Sequence, residues 1–393
     1  MDRAIAHMDL DSFFVSVERL RDNRLNGMPV IVGGNGDRGV VAACSYETRV
    51  FGVRSAMPMR MARQLCPDAL IIRGDYEAYS KYSAMVTEII TQNTPLIEKA
   101  SIDEFYLDLT GMDKYFGNWK FATQIRNKVI KETGLSISLG LSTSKTVSKM
   151  ATNEAKPAGE LQIHSGEEKA FLAPLSVSKI PLCGKVTTQM LRNMGISNIG
   201  VLSQMPLRLL EKTFGKLGKT LWERANGIDG SPIIPYRDAK SCSKEITFEK
   251  DTTNIEFLKC VLIKMVEELC FDLRESGFCT GCLTVKIRYT NFDTHTRQVN
   301  LPVTTADHKI IKTVLELFEK LYDRRILIRL IGVRFTKLVR GTEQLNIFDE
   351  NARLYPLYNA MDKMRSRYGV EAIGSAATLD LNKRTPFLNA HVS

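Results

Sequence analysis

Long apolar runs are missing from this chain. Nowhere in its 393 residues does a stretch approach the roughly 18 uninterrupted apolar positions that a membrane span needs. The opening segment, Met1 to Asp9, lacks an extended apolar stretch and turns acidic at once, unlike a secretory signal, so a cytoplasmic location and no membrane association are expected. Tryptophan is scarce at two residues, and the five histidines are dispersed, so no histidine metal centre or histidine base stands out. The eight cysteines are scattered rather than spaced as a framework, which excludes a disulfide scaffold and leaves reduced, mostly core thiols. Low-complexity tracts and internal repeats are absent. With 44% apolar and 25% charged residues, the composition is that of a folded multidomain protein rather than a disordered or fibrous one.

Positive charge is present in excess, but not uniformly. The net +10 is almost absent from residues 1–165, which carry 20 Lys/Arg against 19 Asp/Glu. Residues 166–241 carry 11 against 6, and residues 242–340 carry 17 against 13. A neutral first part beside a basic second part fits a polyanion held by one and worked on by the other; a merely basic surface fits equally.

The periodicities predict an α+β first region. Strands are expected at 4–9, 29–32, 39–43, 96–100, 105–109 and 137–141, with helices at 12–20, about 75–92 and around 119–129. Short helices and Gly-punctuated turns follow at 174–230, then a polar linker near 232–241. Residues 242–340 read β-α-β-β-α-β, a split-βαβ module. Thr284, Lys286, Arg288, Arg334 and Thr336 alternate with apolar positions there, giving a sheet with an apolar back and a basic front.

Two acidic segments carry the chemistry: Met8-Asp9-Leu10-Asp11-Ser12-Phe13-Phe14 and Ser101-Ile102-Asp103-Glu104-Phe105. Carboxylates delivered to one place by strand ends are hard oxygen ligands that suit Mg²⁺, and two such ions about 3.5–4 Å apart can activate an attacking oxygen and stabilise a leaving one. Either segment alone reads as well as a strand-end turn. A third, Cys44 to Pro58, sets Tyr46 and Arg49 three residues apart on one helix face, an arrangement that can hold a triphosphate. A fourth, Lys145 to Gly159, adds Lys149 and Lys156.

Together the motifs D-x-D-x-F-F, S-Y-E-x-R-x-F-G-V-R-S-A-M-P, S-I-D-E and A-K-P-x-G, in this order over about residues 4–340, resemble the Y-family of translesion DNA polymerases, in its DinB-like (DNA polymerase IV) branch. The resemblance implies a template-directed, low-fidelity DNA polymerase without proofreading, acting in DNA damage tolerance. It implies a palm at 1–11 and 75–165, fingers at 12–74, a helical thumb with a helix-hairpin-helix at 166–231, a linker at 232–241, a split-βαβ little finger at 242–340 and a tail at 341–393. Asp9, Asp103 and Glu104 would hold two Mg²⁺ ions, with the Leu10 carbonyl as a further ligand. Phe14 would be the steric gate against ribonucleotides, Phe13 would pack near it, and Tyr46, Arg49 and Lys156 would grip the dNTP. Primer-template DNA would meet Gly184, Lys185, Lys286, Arg288 and Arg334. The thumb departs from the family pattern, with Leu182 where a first hairpin glycine is usual. Gln344, Leu345, Ile347 and Phe348 resemble the peptide that docks bacterial polymerases on the sliding clamp, and a helix is expected beyond it at Leu354, Leu357, Met361 and Met364. The protein is expected to be a monomer. Open alternatives are a UmuC-like subunit needing accessory proteins, a nucleotidyl cyclase sharing the palm, and an inactive DNA- or clamp-binding protein.

Lookalikes remain unsupported. Cys279-Thr280-Gly281-Cys282 has no second pair for zinc, Ser142 to Lys145 lacks the companions of an S-x-x-K enzyme, and the Gly33 turn lacks a P-loop ending.

Overall fold

The computed structural model describes residues 3–34, 36, 38–112, 117–323, 326–341 and 354–378. The chain divides into two compact units, residues 1–237 and 238–393.

The first unit runs β1 (Ile5–Leu10), α1 (Phe13–Arg21), β2 (Val30–Gly33), β3 (Val41–Cys44), α2 (Tyr46–Val50), α3 (Met59–Leu65), β4 (Leu70–Ile72), α4 (Tyr76–Asn93), β5 (Ile97–Lys99), β6 (Glu104–Asp108), α5 (Asn118–Thr133), β7 (Ile137–Ser142), α6 (Lys145–Ala155), β8 (Glu160–Gln162), α7 (Glu168–Leu172), α8 (Lys185–Asn193), α9 (Ile199–Gln204), α10 (Leu207–Phe214) and α11 (Lys216–Ala225). Its main sheet has the order β5-β6-β1-β7-β8, and β1 is buried along its whole length at the centre. One face of β1 presents Ala6, Met8 and Leu10 to a core shared with α1, α4 and α5. Strand alternation turns His7 and Asp9 to the opposite face, where α6 packs. Gly140 of β7, paired with His7, lets α6 come close: a Cβ there would meet the Ser148 carbonyl at 2.2 Å and the Thr152 amide at 2.5 Å.

The small sheet β3-β2-β4 has its own apolar cluster around Ile31, Val41, Val53 and Met59. Phe13, Val15, Val17, Val30 and Val32 nevertheless belong to the main core. The packing therefore does not divide at residue 12, where a boundary was expected. Helices α7–α11 share a third core, into which α6 sends Val147, Met150 and Ala151. Helix α6 thus has one face on the sheet and another in the helical region, which keeps the first unit continuous.

The second unit contains β9 (Ser241–Thr252), α12 (Ile255–Glu275), β10 (Phe278–Tyr289), β11 (Thr294–Thr304), α13 (Asp307–Leu321), β12 (Ile328–Arg340) and α14 (Leu354–Tyr368). Its antiparallel sheet has the order β11-β10-β12-β9, two interlocked split β-α-β units, as the sequence pattern predicted. Leu283, Val285, Ile287, Val333 and Phe335 are buried against α12 and α13. All eight cysteines are free thiols, six of them buried. Among the described residues no helix is long and apolar enough to cross a membrane.

Candidate active site

The site begins with strand register. β1 and β6 pair so that Asp9 lies directly opposite Glu104. Helix α6 crosses that face and spaces Lys145, Lys149 and Thr152 one turn apart, with Lys156 just past its end. The result is a ladder of ion pairs: Lys145 to Glu98 at 2.7 Å, Lys149 to Glu104 at 2.6 Å, and Lys156 to Asp9 at 2.5 Å. Burial pushes the Asp9 carboxyl up to about 7; Lys156 pulls against this, while Glu104 and Asp103 add to it. Two cations closing on two carboxylates that share a sheet edge mark a place where added positive charge is stabilised.

Asp103 sits at the same edge but is held differently. Its carbonyl accepts from the Leu10 amide at 3.0 Å, and its carboxylate accepts from the Ser101 hydroxyl at 2.6 Å. Among the described residues, the group whose ligand atoms lie within 4.8 Å of one another is His7, Asp9 and Glu104; Asp103 is not one of the three. Hard carboxylate oxygens fit Mg²⁺, and the partly exposed Asp103 and Glu104 leave the edge open to solvent and substrate.

Tyr46 and the turn after Lys156 meet at Asp11. That carboxylate, 3% exposed, accepts from Tyr46 Oη at 3.3 Å, Ser136 Oγ at 2.8 Å, Ser138 Oγ at 2.9 Å and the Ala158 amide at 2.9 Å. It ties α2, β7 and the turn after Lys156 to one point. Burial, then the charge of Asp11, raise the Tyr46 phenol to about 12, so it remains a donor near neutrality. The Arg49 guanidinium lies 4.6 Å from the Tyr46 ring centroid, and its buried Nε has no hydrogen-bond partner among the described residues.

The adjacent phenylalanines separate cleanly. Phe13 is core at 3% exposure, whereas half-buried Phe14 stacks on Tyr79 with centroids 4.2 Å apart and planes at 11°. The Tyr79 hydroxyl donates to Glu18 Oε1 at 2.6 Å, which fixes the backing ring.

Sequence reading missed three contributors here, Asp11 as a hub, Ser101 as the partner of Asp103 and Tyr79 behind Phe14, and it singled out Lys149 without its partner Glu104. Only the S-I-D-E and D-x-D motifs, which contain Ser101 and Asp11, carried a signal for any of them.

Elsewhere the expected contact residues are more constrained than the sequence suggests. Lys286 is paired with Glu245 at 2.8 Å, Arg288 donates to Thr294, and Arg334 donates to Ser241. The sheet front is polar with partnered cations, not a row of free ones. Gly184 caps α8 and Lys185 is exposed at its start. Leu182 is 68% exposed and takes φ 72°, a left-handed conformation that a glycine would adopt without strain. Gln344, Leu345, Ile347 and Phe348 lie outside the described residues.

Comparison with known proteins shows the family. Residues 8–153 match the impB/mucB/samB family, residues 239–347 match that family's C-terminal domain, and residues 178–229, spanning α8–α11, match the thumb domain of DNA polymerase iota. The chain belongs to this family, the Y-family polymerases, and is a DNA-directed DNA polymerase. Among its relatives, DNA polymerase IV of Dehalococcoides mccartyi is 38% identical over 383 residues, covering 96% of this chain and 98% of the relative. DNA polymerase IV of Methanoculleus marisnigri is 36% identical over 352 residues, covering 88% and 98%. A solved chimera of the Y-family polymerases Dbh and Dpo4 is 25% identical with a TM-score of 0.79, covering 86% of this chain and all of that one. DinB from Sulfolobus solfataricus, at 24% identity and a TM-score of 0.59 over 86% of this chain and all of that one, shares the fold.

Proposed function

We propose that this polymerase adds deoxynucleotides to a primer 3′-hydroxyl opposite damaged as well as intact templates, in DNA damage tolerance. Asp9, Asp103 and Glu104 would hold two Mg²⁺ ions, with the Leu10 carbonyl as a further ligand. When bound, such ions supply charge stabilisation for attack and departure at phosphorus. The chain's own part is positional. Lys156, which pairs with Asp9 in this structure, would join Tyr46 and Arg49 in holding the triphosphate. Phe14, braced by Tyr79, lies flat under the sugar and leaves no room or partner for a 2′-hydroxyl. Gly184 and Lys185 in the helical region, with Lys286, Arg288 and Arg334 on the second unit's sheet, would track the DNA backbone without reading sequence. The peptide at 344–348 would dock a monomer on the sliding clamp in the cytoplasm.

The observation that carries this reading is the Asp9–Glu104 register pair closed by Lys149 and Lys156, with Phe14 on the helix that follows β1 stacked on Tyr79. Primer extension on undamaged and lesion-bearing templates tests it. Mg²⁺-dependent extension past lesions, lost in Asp103→Ala and Glu104→Ala with DNA binding retained, is expected. Metal-independent extension, or no insertion opposite any lesion, would overturn it.

A further inference from the structure

One buried side chain beside the carboxylates has no task in that reading. His7 has no exposed surface and lies on β1 two residues before Asp9, on the same face. Its Nδ1 is 2.9 Å from Thr152 Oγ1. That oxygen also lies 3.0 Å from the His7 carbonyl and 2.9 Å from the Ser148 carbonyl. Carbonyl oxygens only accept, so the single hydroxyl hydrogen goes to one of them, and the hydroxyl oxygen accepts from Nδ1–H. This tautomer leaves a lone pair on Nε2, which is buried and without a hydrogen-bond partner among the described residues. A buried acceptor with nothing to accept from is costly unless something electrophilic reaches it.

What can reach it is defined by its neighbours. One ring nitrogen of His7 and one carboxylate oxygen each of Asp9 and Glu104 lie within 4.8 Å of one another, close enough for modest side-chain adjustment to bring all three residues onto one ion. The carboxylates of that group are held by Lys156 and Lys149, which supply the positive charge an ion would bring. An imidazole beside two carboxylates is a borderline donor set, favouring first-row transition ions over Mg²⁺, which prefers oxygen.

We infer that His7 Nε2, Asp9 and Glu104 form a mixed nitrogen–oxygen site that takes one Mn²⁺-class ion in the polymerase free of DNA and nucleotide, with His7 distinguishing such ions from Mg²⁺. The inference rests on the reading of Asp9 and Glu104 as metal ligands.

Pulsed electron paramagnetic resonance on the full chain with sub-stoichiometric Mn²⁺ tests it without any turnover. Imidazole ¹⁴N modulation on the bound ion is expected. His7→Gln should remove that modulation and weaken Mn²⁺ binding about tenfold or more, while Mg²⁺ binding, read by competition, stays within about twofold. Mn²⁺ that is displaced by Mg²⁺ yet shows no ¹⁴N coupling overturns the role of His7 and leaves the carboxylate site standing. No binding, or binding indifferent to Glu104→Gln, overturns both. Should His7→Gln fail to fold, the spectrum of the unsubstituted chain decides alone.

Discussion

Replacing Asp11 tests whether the buried hub, rather than the metal-facing carboxylates, sets the grip on the incoming nucleotide. Asp11→Ala strips one acceptor group from four donors at once. The hydroxyls of Tyr46, Ser136 and Ser138 can turn toward other acceptors, but the Ala158 amide is fixed by its backbone. One orphaned, part-buried N–H costs about 1 kcal/mol, and the lost bonds to a charged acceptor cost about 2–3 kcal/mol more. The expected loss is about 3–4 kcal/mol for Asp11→Ala. Asp11→Asn keeps the shape and one acceptor oxygen, so it loses about 1–2 kcal/mol. For a unit of this size about 3 kcal/mol lowers the melting temperature by roughly 10 °C.

The kinetic consequence follows from what the hub holds. Tyr46 and the turn after Lys156 lose a shared anchor, while Asp9, Asp103 and Glu104 keep theirs. The KM for the incoming nucleotide should rise about tenfold in Asp11→Asn, equal to about 1.4 kcal/mol, with kcat changing much less. Chemical denaturation and single-nucleotide insertion measure the two effects. If Asp11→Ala melts with the native protein, or if Asp11→Asn loses kcat with an unchanged KM, the hub is not what positions these residues.

Four further outcomes are expected. Glu104→Ala lowers insertion about a thousandfold or more, with primer-template affinity nearly unchanged by filter binding; near-normal turnover would remove Glu104 from the machinery. Asp9 titrates near 7 in the metal-free fold, so its charged form is disfavoured there; relative to an ordinary aspartate, stability is highest below about 4 and is lost as pH rises through about 7. Because a cation binds the ionised form, apparent Mg²⁺ affinity should fall about tenfold per pH unit below about 7 and level above it, as thermal-shift titrations from about pH 5.5 to 8.5 would show. Phe14→Ala should raise ribonucleotide insertion relative to deoxynucleotide insertion about a hundredfold at a modest cost in stability, since half-buried Phe14 packs against the core that Phe13 fills; loss of both activities together would make Phe14 a packing residue alone. Leu182→Gly should stabilise the first unit by up to about 1 kcal/mol by relieving a positive φ, measured by urea denaturation.

Local patterns made most of this fold legible. The strands around Asp9 and Glu104, the helices from Phe13 and Tyr76, and the interlocked module of the second unit all follow periodicity that a single segment displays. The site was legible where chemistry is written in contiguous motifs. It was not legible where contacts span the chain. Asp11 meets Ser136, Ser138 and Ala158 only because β1 lies beside β7 and α6 returns over both. Lys149 reads as one lysine among many until Gly140 admits α6 to the sheet. The alternation on β10 and β12 correctly gave the polar face, but it could not reveal that Glu245 of β9 stands beside Lys286.

The helix beyond the proposed clamp peptide shows how a correct period can point to the wrong face. Leu354, Leu357, Met361 and Met364 predicted a helix, and α14 forms there, yet Leu357 and Met364 are exposed and the buried side chains are Tyr358 and Arg365. The helix docks through charge. Arg274 of α12 bridges Asp307 of α13 and Asp362 of α14 at 2.5 and 2.6 Å, and Arg365, 2% exposed, faces Glu267 and Asp362 and donates to the Ile373 carbonyl. Tyr358 completes the contact at His308 Nδ1, 2.5 Å away. Buried ion pairs add little net stability, because desolvation offsets their attraction, but removing one partner strands the other. Such a network therefore selects one seating of α14 over nearby ones more than it strengthens the attachment, a distinction that apolar contacts alone make weakly.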